Sequence, residues 1–334
     1  MSRHKPNIYD VAEVAGVSHQ TVSRVINNHP SLRPETRRRV EQAMADLGYV
    51  PNRAARALVT DKSKLIGILA SDTTLYGPAG MLHAIEIEAR KSGYVTFTCS
   101  VDAQSQAEVH DAVTYMRNMS VEGVILITAE TKPTDLARDG LPNVPIVAMD
   151  SEYRADRLTV NVNNFGAAEM ATKHLLDLGH TGILHITGET DWAVGRARRD
   201  GYAAAMRNAG LQPLVIEGNW QIETGYRLSS GYDFQRAGVT AVFCANDNLA
   251  LGLLRACRER GIAVPDDLSV VGFDDIPEAA YFAPPLTTVR QDFAALGKRA
   301  IRVLLSELGQ AEPVTNRLLD LELVVRSSTA PPRL

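Results

Sequence analysis

The sequence predicts two folds in one chain: an all-α helix-turn-helix head over residues 1–50 and a two-lobed α/β body over 64–334, joined by a linker over 51–63. Three observations carry this. Near the N-terminus, apolar residues recur at helical spacing and are interrupted by a short glycine turn. Beyond Lys64, short apolar runs alternate with helical stretches, the pattern of parallel βαβ units. Finally, 334 residues exceed one small domain, since domains run to ~100–200 residues.

In the head, Ile8, Val11, Ala12 and Ala15 form the apolar stripe of a first helix, which Gly16 ends. Ser18 is a good N-cap for a second helix with Val22, Val25 and Ile26 inward. Ala15-Gly16-Val17-Ser18 is then the turn, its glycine free to let two helices cross closely. A third helix is expected from Pro34 to Leu47, with Val40, Ala43, Met44 and Leu47 inward and Gly48 at its end. Burying Val22, Val25 and Ile26 leaves His19, Gln20, Thr21, Ser23 and Arg24 outward. Gln can take adenine and Arg guanine bidentately, while hydroxyls and His serve phosphates or base edges. The same spacing also fits an ordinary three-helix bundle with a solvated face.

The charge distribution bears on that choice. Of the net −4, residues 1–62 hold ten Lys/Arg against six Asp/Glu, so the head with its linker is +4 and the remainder −8. A basic head on an acidic body points to a polyanion met by the head alone, though an excess of this size also arises by chance. The 45% hydrophobic and 22% charged composition is that of a globular protein. No apolar run is long enough for a transmembrane helix, so no membrane partner is expected. No apolar core follows Arg3 and Lys5, so the cytoplasm is the expected compartment. Cys99, Cys244 and Cys257, an odd count without C-x-x-C, argue against a disulfide framework or zinc ribbon, and buried thiols are expected.

In the body, candidate strands are Leu65-Leu69, Val95-Cys99, Gly123-Ile127, Ile146-Met149, Thr159-Val162, Gly182-Ile186, Ala241-Cys244 and Leu268-Phe273. Helical stretches include Gly80-Ser92, Ala107-Met119, Ala167-Leu178, Gly195-Asn208, Leu249-Gly261 and Phe293-Leu308. The chain is expected to cross between lobes near Asn163-Asn164 and return near Gln291-Asp292. Lobe one then spans about 64–163 and 292–323, and lobe two about 164–291 and 324–330. Ligands of open α/β sheets sit at the carboxyl ends of strands. There the sequence places Asp150, Asn246, Asp247, Asp274 and Asp275, with Arg196 and Arg198 on the helix after Ile183-Ile186. Carboxylates, an arginine and an amide suit a vicinal diol, and Trp192, Trp220 and Phe293 offer flat apolar faces for sugar rings. Asp247 and Asp275 fit helix capping equally well, and a tryptophan is more often core than platform.

The stretch Ile8-Tyr9-Asp10-Val11-Ala12, Ala15-Gly16-Val17-Ser18 and Thr21-Val22-Ser23-Arg24-Val25-Ile26-Asn27 resembles the lactose-repressor (LacI/GalR) family of bacterial transcriptional regulators. The match continues through Thr36-Arg37, Leu47-Gly48-Tyr49 and Pro51-Asn52. In the body it includes Cys244-Ala245-Asn246-Asp247, Val270-Val271-Gly272-Phe273-Asp274-Asp275 and Pro284-Pro285-Leu286-Thr287-Thr288-Val289. The resemblance implies a periplasmic-binding-protein-like, Rossmann-like body and a homodimer on palindromic operator DNA. It implies base contacts by His19, Gln20 and Arg24, and backbone contacts by Asn7, Tyr9, Ser18, Thr21, Ser23 and Asn27. Arg33 stands where the family usually has a Ser or Asp cap, a cost to local helix stability.

Residues 52–58 would be the family's hinge, helical only when two copies pair on DNA. Asn52 and Ala55 would then approach the minor groove and Leu58 wedge into it; a flexible linker is the plainer alternative. The effector residues the resemblance implies are Asp150, Arg198, Trp220, Asn246, Asp274 and Phe293; Leu75, Ala79 and Gly80 are expected near the first-lobe mouth, lining the aglycone side, and Trp192 joins the expected effector set by its flat face. Trp220, Asn246 and Asp150 together resemble the sugar-binding branches, so a sugar or glycoside is the expected effector. A purine or other metabolite acting as corepressor is the alternative. No cofactor or metal is expected, and no catalytic motif of the G-x-S-x-G, H-E-x-x-H, Walker A or G-x-G-x-x-G type occurs. A glycosidase is disfavoured because adjacent Asp274 and Asp275 cannot flank a bond at roughly 5–9.5 Å without other partners. A transport-type sugar binder would not explain the basic head.

Overall fold

The structure is a computed structural model and describes residues 6–27, 29, 31–50, 62–128, 132–149, 158–315 and 318–333. The expected hinge residues Asn52, Ala55 and Leu58 lie outside the described residues, as does Asp150. The chain forms two compact units, Met1–Ser63 and Lys64–Leu334.

The first unit contains α1 (Ile8–Ala15), α2 (His19–Ile26) and α3 (Pro34–Leu47). Asn7 starts α1 by accepting from the backbone N–H of Tyr9 and Asp10, while Asp10 reaches back to the Asn7 N–H at 2.7 Å. That reciprocal pair satisfies donors a helix start leaves orphaned. Gly16 ends α1 at φ 61°, a conformation costly for any residue with a Cβ. Val11, Ala12 and Ala15 then meet Val22, Val25, Val40 and Ala43 in one small core. Each buried valine contributes roughly 1.5–3 kcal/mol, the main term holding three short helices together. Arg33 makes no side-chain cap on α3, as its chemistry predicts.

The second unit has two lobes of one pattern. Lobe one runs β1 (Leu65–Ala70), α4 (Tyr76–Lys91), β2 (Val95–Ser100), α5 (Gln106–Asn118), β3 (Gly123–Ile127), α6 (Lys132–Gly140), β4 (Ile146–Met149) and β5 (Leu158–Val162). Lobe two runs α7 (Asn164–Asp177), β6 (Ile183–Ile186), α8 (Ala193–Asn208), β7 (Leu214–Ile216) and α9 (Ile222–Gly231). It continues with β8 (Ala241–Cys244), α10 (Asp247–Glu259), β9 (Ser269–Asp274), a short 3₁₀ turn (Pro277–Tyr281) and β10 (Thr287–Arg290). The chain then re-enters lobe one as α11 (Phe293–Glu307) and β11 (Leu318–Leu319), and ends on β12 (Glu322–Val324) in lobe two.

The strand orders are β11-β5-β4-β3-β1-β2 and β12-β10-β9-β8-β6-β7. All pairings are parallel except β10 with β12. The central strands are buried along their length, as parallel strands covered on both faces must be. Order reverses between β1 and β3 in lobe one and between β6 and β8 in lobe two, so each lobe has a switch point where a crevice opens.

Three crossings join the lobes, and two are marked by caps. Asn163 accepts from Gly166 N–H at 3.0 Å to start α7, and its Nδ2 donates to Asp320 at 3.2 Å. Asp292 accepts from Ala295 N–H at 2.9 Å to start α11. The third crossing falls between β11 and β12, at Asp320-Leu321, slightly earlier than the expected 323.

Periodicity does not reveal α9, for a physical reason. Its buried positions are Thr224, Gly225 and Ser229, so no apolar stripe marks it. It crosses α10 at two glycines: a Cβ on Gly225 would lie 2.2 Å from Leu249 O, and one on Gly252 2.1 Å from Ile222 O. Backbone contact replaces side-chain interdigitation there. β10 is equally quiet in sequence, since its core positions Thr287 and Thr288 are polar but hydrogen-bonded.

Candidate DNA-recognition face and ligand cleft

On α2 the residues expected at a groove emerge together. His19, Gln20 and Arg24 are exposed, and Thr21 and Ser23 are half-buried beside them. Ser18 caps the helix, its Oγ accepting from Thr21 N–H at 3.2 Å and lying 3.0 Å from Thr21 Oγ1. Asn27 Nδ2 reaches Ser23 Oγ at 3.5 Å, closing the far end of the same face. Tyr9, 64% exposed, leans on His19 with ring centroids 5.2 Å apart, so the start of α1 borders the α2 surface. Asn7 is exposed as well, although its side-chain oxygen is committed to the α1 cap. A helix whose outward face holds Gln, Arg and small hydroxyls, and whose inward face is valine, can enter a major groove without exposing its core.

In the body, the carboxyl ends of the switch-point strands meet in a cleft with about 580 Å³ of unfilled space, open solvent at its mouth included. Its floor is ionic. Arg198 on α8 sits 3.5 Å from Asp274 at the end of β9, both buried. The guanidinium also donates to Asn164 Oδ1 at 3.0 Å and to Ala245 O at 2.5 Å, and lies 3.6 Å over the Phe273 ring. Gln291 donates to Asp274 at 2.7 Å. Burial nevertheless outweighs these partners and holds the Asp274 carboxyl above its ordinary value. Asp274 adopts φ 111°, so the strand end is bent to present this carboxylate.

One wall is aromatic. Trp220 is 6% exposed and rests on Gly188, where a Cβ would come within 2.2 Å of the indole. Trp192 lies 5.7 Å from it, ring centre to ring centre. Trp220 Nε1 is buried with no hydrogen-bond partner among the described residues. Asn246 is largely spoken for: its oxygen caps α10 through Leu249 N–H at 2.9 Å, and its nitrogen donates to Trp220 O at 3.1 Å.

Leu75, Trp192, Arg198, Trp220, Asn246 and Asp274 thus line one cleft. Two expectations need correction. Ala79 is exposed on α4 and does not line the cleft: α4 begins at Tyr76, and its cleft side is carried by Pro78 and Met81. Phe293 is half-buried and does not line the cleft; it packs in lobe one behind Tyr76, its ring 2.8 Å from a Cβ placed on Gly80 and edge-on to Tyr76 at 5.6 Å. Asp247 and Asp275 are structural. Asp247 accepts from Thr288 Oγ1 at 2.6 Å and Ile276 N–H at 2.9 Å, and burial pushes its carboxyl well above the usual range. Asp275 pairs with Arg290 and Arg326.

Sequence reasoning missed Tyr76, Met81 and Gln291, along with Ser71, Ile127 and Thr128 at the ends of β1 and β3. The strand-end rule would have found Ser71 and Thr128 had it been applied to hydroxyls as well as acids.

Residues 7–52 match the family model for bacterial regulatory proteins, lacI family, and residues 172–329 that for a periplasmic binding protein-like domain. The chain is 37% identical over 335 residues to the HTH-type transcriptional repressor PurR of Glaesserella parasuis serovar 5, covering 96% of this chain and 97% of that one. It is 34% identical over 328 residues to the lactose operon repressor of Escherichia coli K12, covering 97% and 91%. The solved lac repressor dimer bound to operator and the anti-inducer ONPF matches with a TM-score of 0.87 at 33% identity, over 98% of this chain and 100% of that one. With a helix-turn-helix in one unit and a two-lobed cleft in the other, the chain belongs to the lacI family of bacterial regulatory proteins, as a DNA-binding transcriptional regulator and not an enzyme.

Proposed function

We propose that the protein is a dimeric cytoplasmic repressor that holds a palindromic operator and releases it when a small sugar or glycoside occupies the cleft. The observation that carries the effector reading is the buried Arg198–Asp274 pair, with half-buried Gln291 donating to Asp274, beneath the Trp192–Trp220 wall. A carboxylate accepts from sugar hydroxyls, a guanidinium and an amide donate, and an indole face covers the ring. Asn246 would add its remaining N–H, and Leu75 with Met81 the apolar rim; Asp150 would complete the set.

On DNA, His19, Gln20 and Arg24 would read bases while Asn7, Tyr9, Ser18, Thr21, Ser23 and Asn27 hold the backbone. Asn52, Ala55 and Leu58 would act at the central minor groove, Leu58 as the kinking wedge. Closing the lobes would separate paired hinges and lower operator affinity, a coupling that requires effector and operator to prefer different states.

The 37% identity to a repressor named PurR favours a second reading, a purine corepressor that uses the same cleft with the opposite sign. One titration separates them: Trp192 and Trp220 fluorescence is followed against mono- and disaccharides and purine bases, with DNA binding measured in parallel. A sugar that changes fluorescence and releases DNA supports the proposal. A purine that tightens DNA binding overturns it.

A further inference from the structure

The charges around the cleft are unevenly signed. Arg198 is the cation among the described residues that line it; Asp274 matches its charge, and Asn164 and Ala245 take two of its N–H groups beside the Phe273 ring. A ligand therefore meets N–H donors without a net positive charge behind them. Trp220 Nε1 is a buried neutral donor without a partner among the described residues, and Asp274 is a carboxylate. Three exposed carboxylates adjoin the lining residues along the chain: Asp72 follows Ser71 in lobe one, while Glu189 and Asp191 lie on the segment that leads into Trp192 in lobe two.

The field of these groups crosses the cleft. Burial first, then Asp72 and Asp191, push the Glu189 carboxyl up. Deeper in, burial followed by Asp274, Asp247 and Asp275 pushes the Tyr76 phenol up, so it stays protonated as another neutral donor. Arg196, near the start of α8, donates to the loop carbonyls Thr190 O at 3.2 Å and Asp191 O at 2.7 Å, and its charge offsets part of that of the carboxylates.

Resting on the reading of this cleft as the effector site, we infer that it selects uncharged ligands and excludes their phosphorylated or carboxylated counterparts, with Asp72, Glu189 and Asp191 as the filter at its mouth. A phosphate brings roughly two negative charges. It would approach three like charges and reach a guanidinium already neutralised by Asp274. An uncharged polyol or nucleobase meets hydrogen-bonding groups of both kinds without that repulsion.

The full-length protein is titrated by tryptophan fluorescence with glucose, galactose, lactose, adenine and hypoxanthine, and with glucose 6-phosphate, galactose 6-phosphate, AMP and IMP. The expected result is that binders are uncharged, each preferred over its phosphorylated counterpart by about tenfold or more, the gap shrinking as salt screens the mouth. In the triple variant Asp72→Asn, Glu189→Gln, Asp191→Asn the gap narrows severalfold. A phosphorylated compound that binds as tightly as its parent overturns the inference, as does a panel in which no uncharged compound binds, or an unchanged gap in the variant. A nucleobase that binds where no sugar does overturns the sugar reading and leaves the charge selection standing.

Discussion

The outward face of α2 and the floor of the cleft both carry an arginine, yet in opposite electrostatic settings. Arg24 stands in water at the end of a two-turn helix. Arg198 is buried among Asp274, Asn164 and a phenylalanine ring. An exposed cation costs little to maintain and acts at long range by displacing counterions from a polyanion. A buried one must be matched before any ligand arrives, because an uncompensated charge in a low-dielectric interior is expensive. The first arrangement suits scanning a long, uniformly charged partner, the second discriminating among small ones.

The largest test of this contrast is Arg198→Ala. It leaves Asp274 buried without its cation and is expected to cost about 3–5 kcal/mol of stability. Ligand response should vanish while operator binding persists below the lowered melting temperature. Loss of DNA binding in folded protein would show that the two sites are not separable in this way.

Next comes the acid limb of the stability curve. His185 on β6 is fully buried, stacked 4.6 Å from Phe243, with Nδ1 against Phe243 O at 2.9 Å and Nε2 without a partner among the described residues. Burial lowers its value to about 4. The unfolded chain therefore binds a proton between about pH 6.5 and 4 that the folded one does not, and stability falls as pH falls through that window. The shift corresponds to about 3 kcal/mol as an upper estimate. Denaturant titrations of His185→Gln should show a flatter pH dependence there; an unchanged slope would place the acid sensitivity elsewhere.

Arg24→Ala is expected to weaken specific operator binding by about 1–3 kcal/mol, with little change in melting temperature or ligand titration. If non-specific DNA loses as much affinity as the operator, Arg24 holds phosphate and does not read bases. The smallest effect belongs to Ser18→Ala, which removes the α2 cap and should cost about 1 kcal/mol of head stability by thermal melting. Ser18→Asp, which keeps the cap, should restore the melting temperature but repel phosphate, separating the structural use of this hydroxyl from its role at DNA.

The head was legible because its information is local. Val22, Val25 and Ile26 point inward at helical spacing, and that alone turns His19, Gln20 and Arg24 outward. Acids placed at strand ends were half legible: Asp274 reaches the cleft, whereas Asp247 and Asp275 spend their oxygens on Thr288, Ile276, Arg290 and Arg326. Nothing in their spacing separates the three, because their partners come from distant segments, 51 positions away for Asp275 and farther still for Asp274 with Arg198.

Sequence periodicity and turn chemistry by themselves determined that the chain has a three-helix head and a doubled βαβ body, since a helix stripe or an apolar strand is written in a few adjacent residues. Only the tertiary structure decided which face of α4 lines the cleft, that Phe293 packs behind Tyr76, and that α9 packs through glycine. Those outcomes depend on long-range approach, where a 100° turn per residue or one absent Cβ sets what touches what.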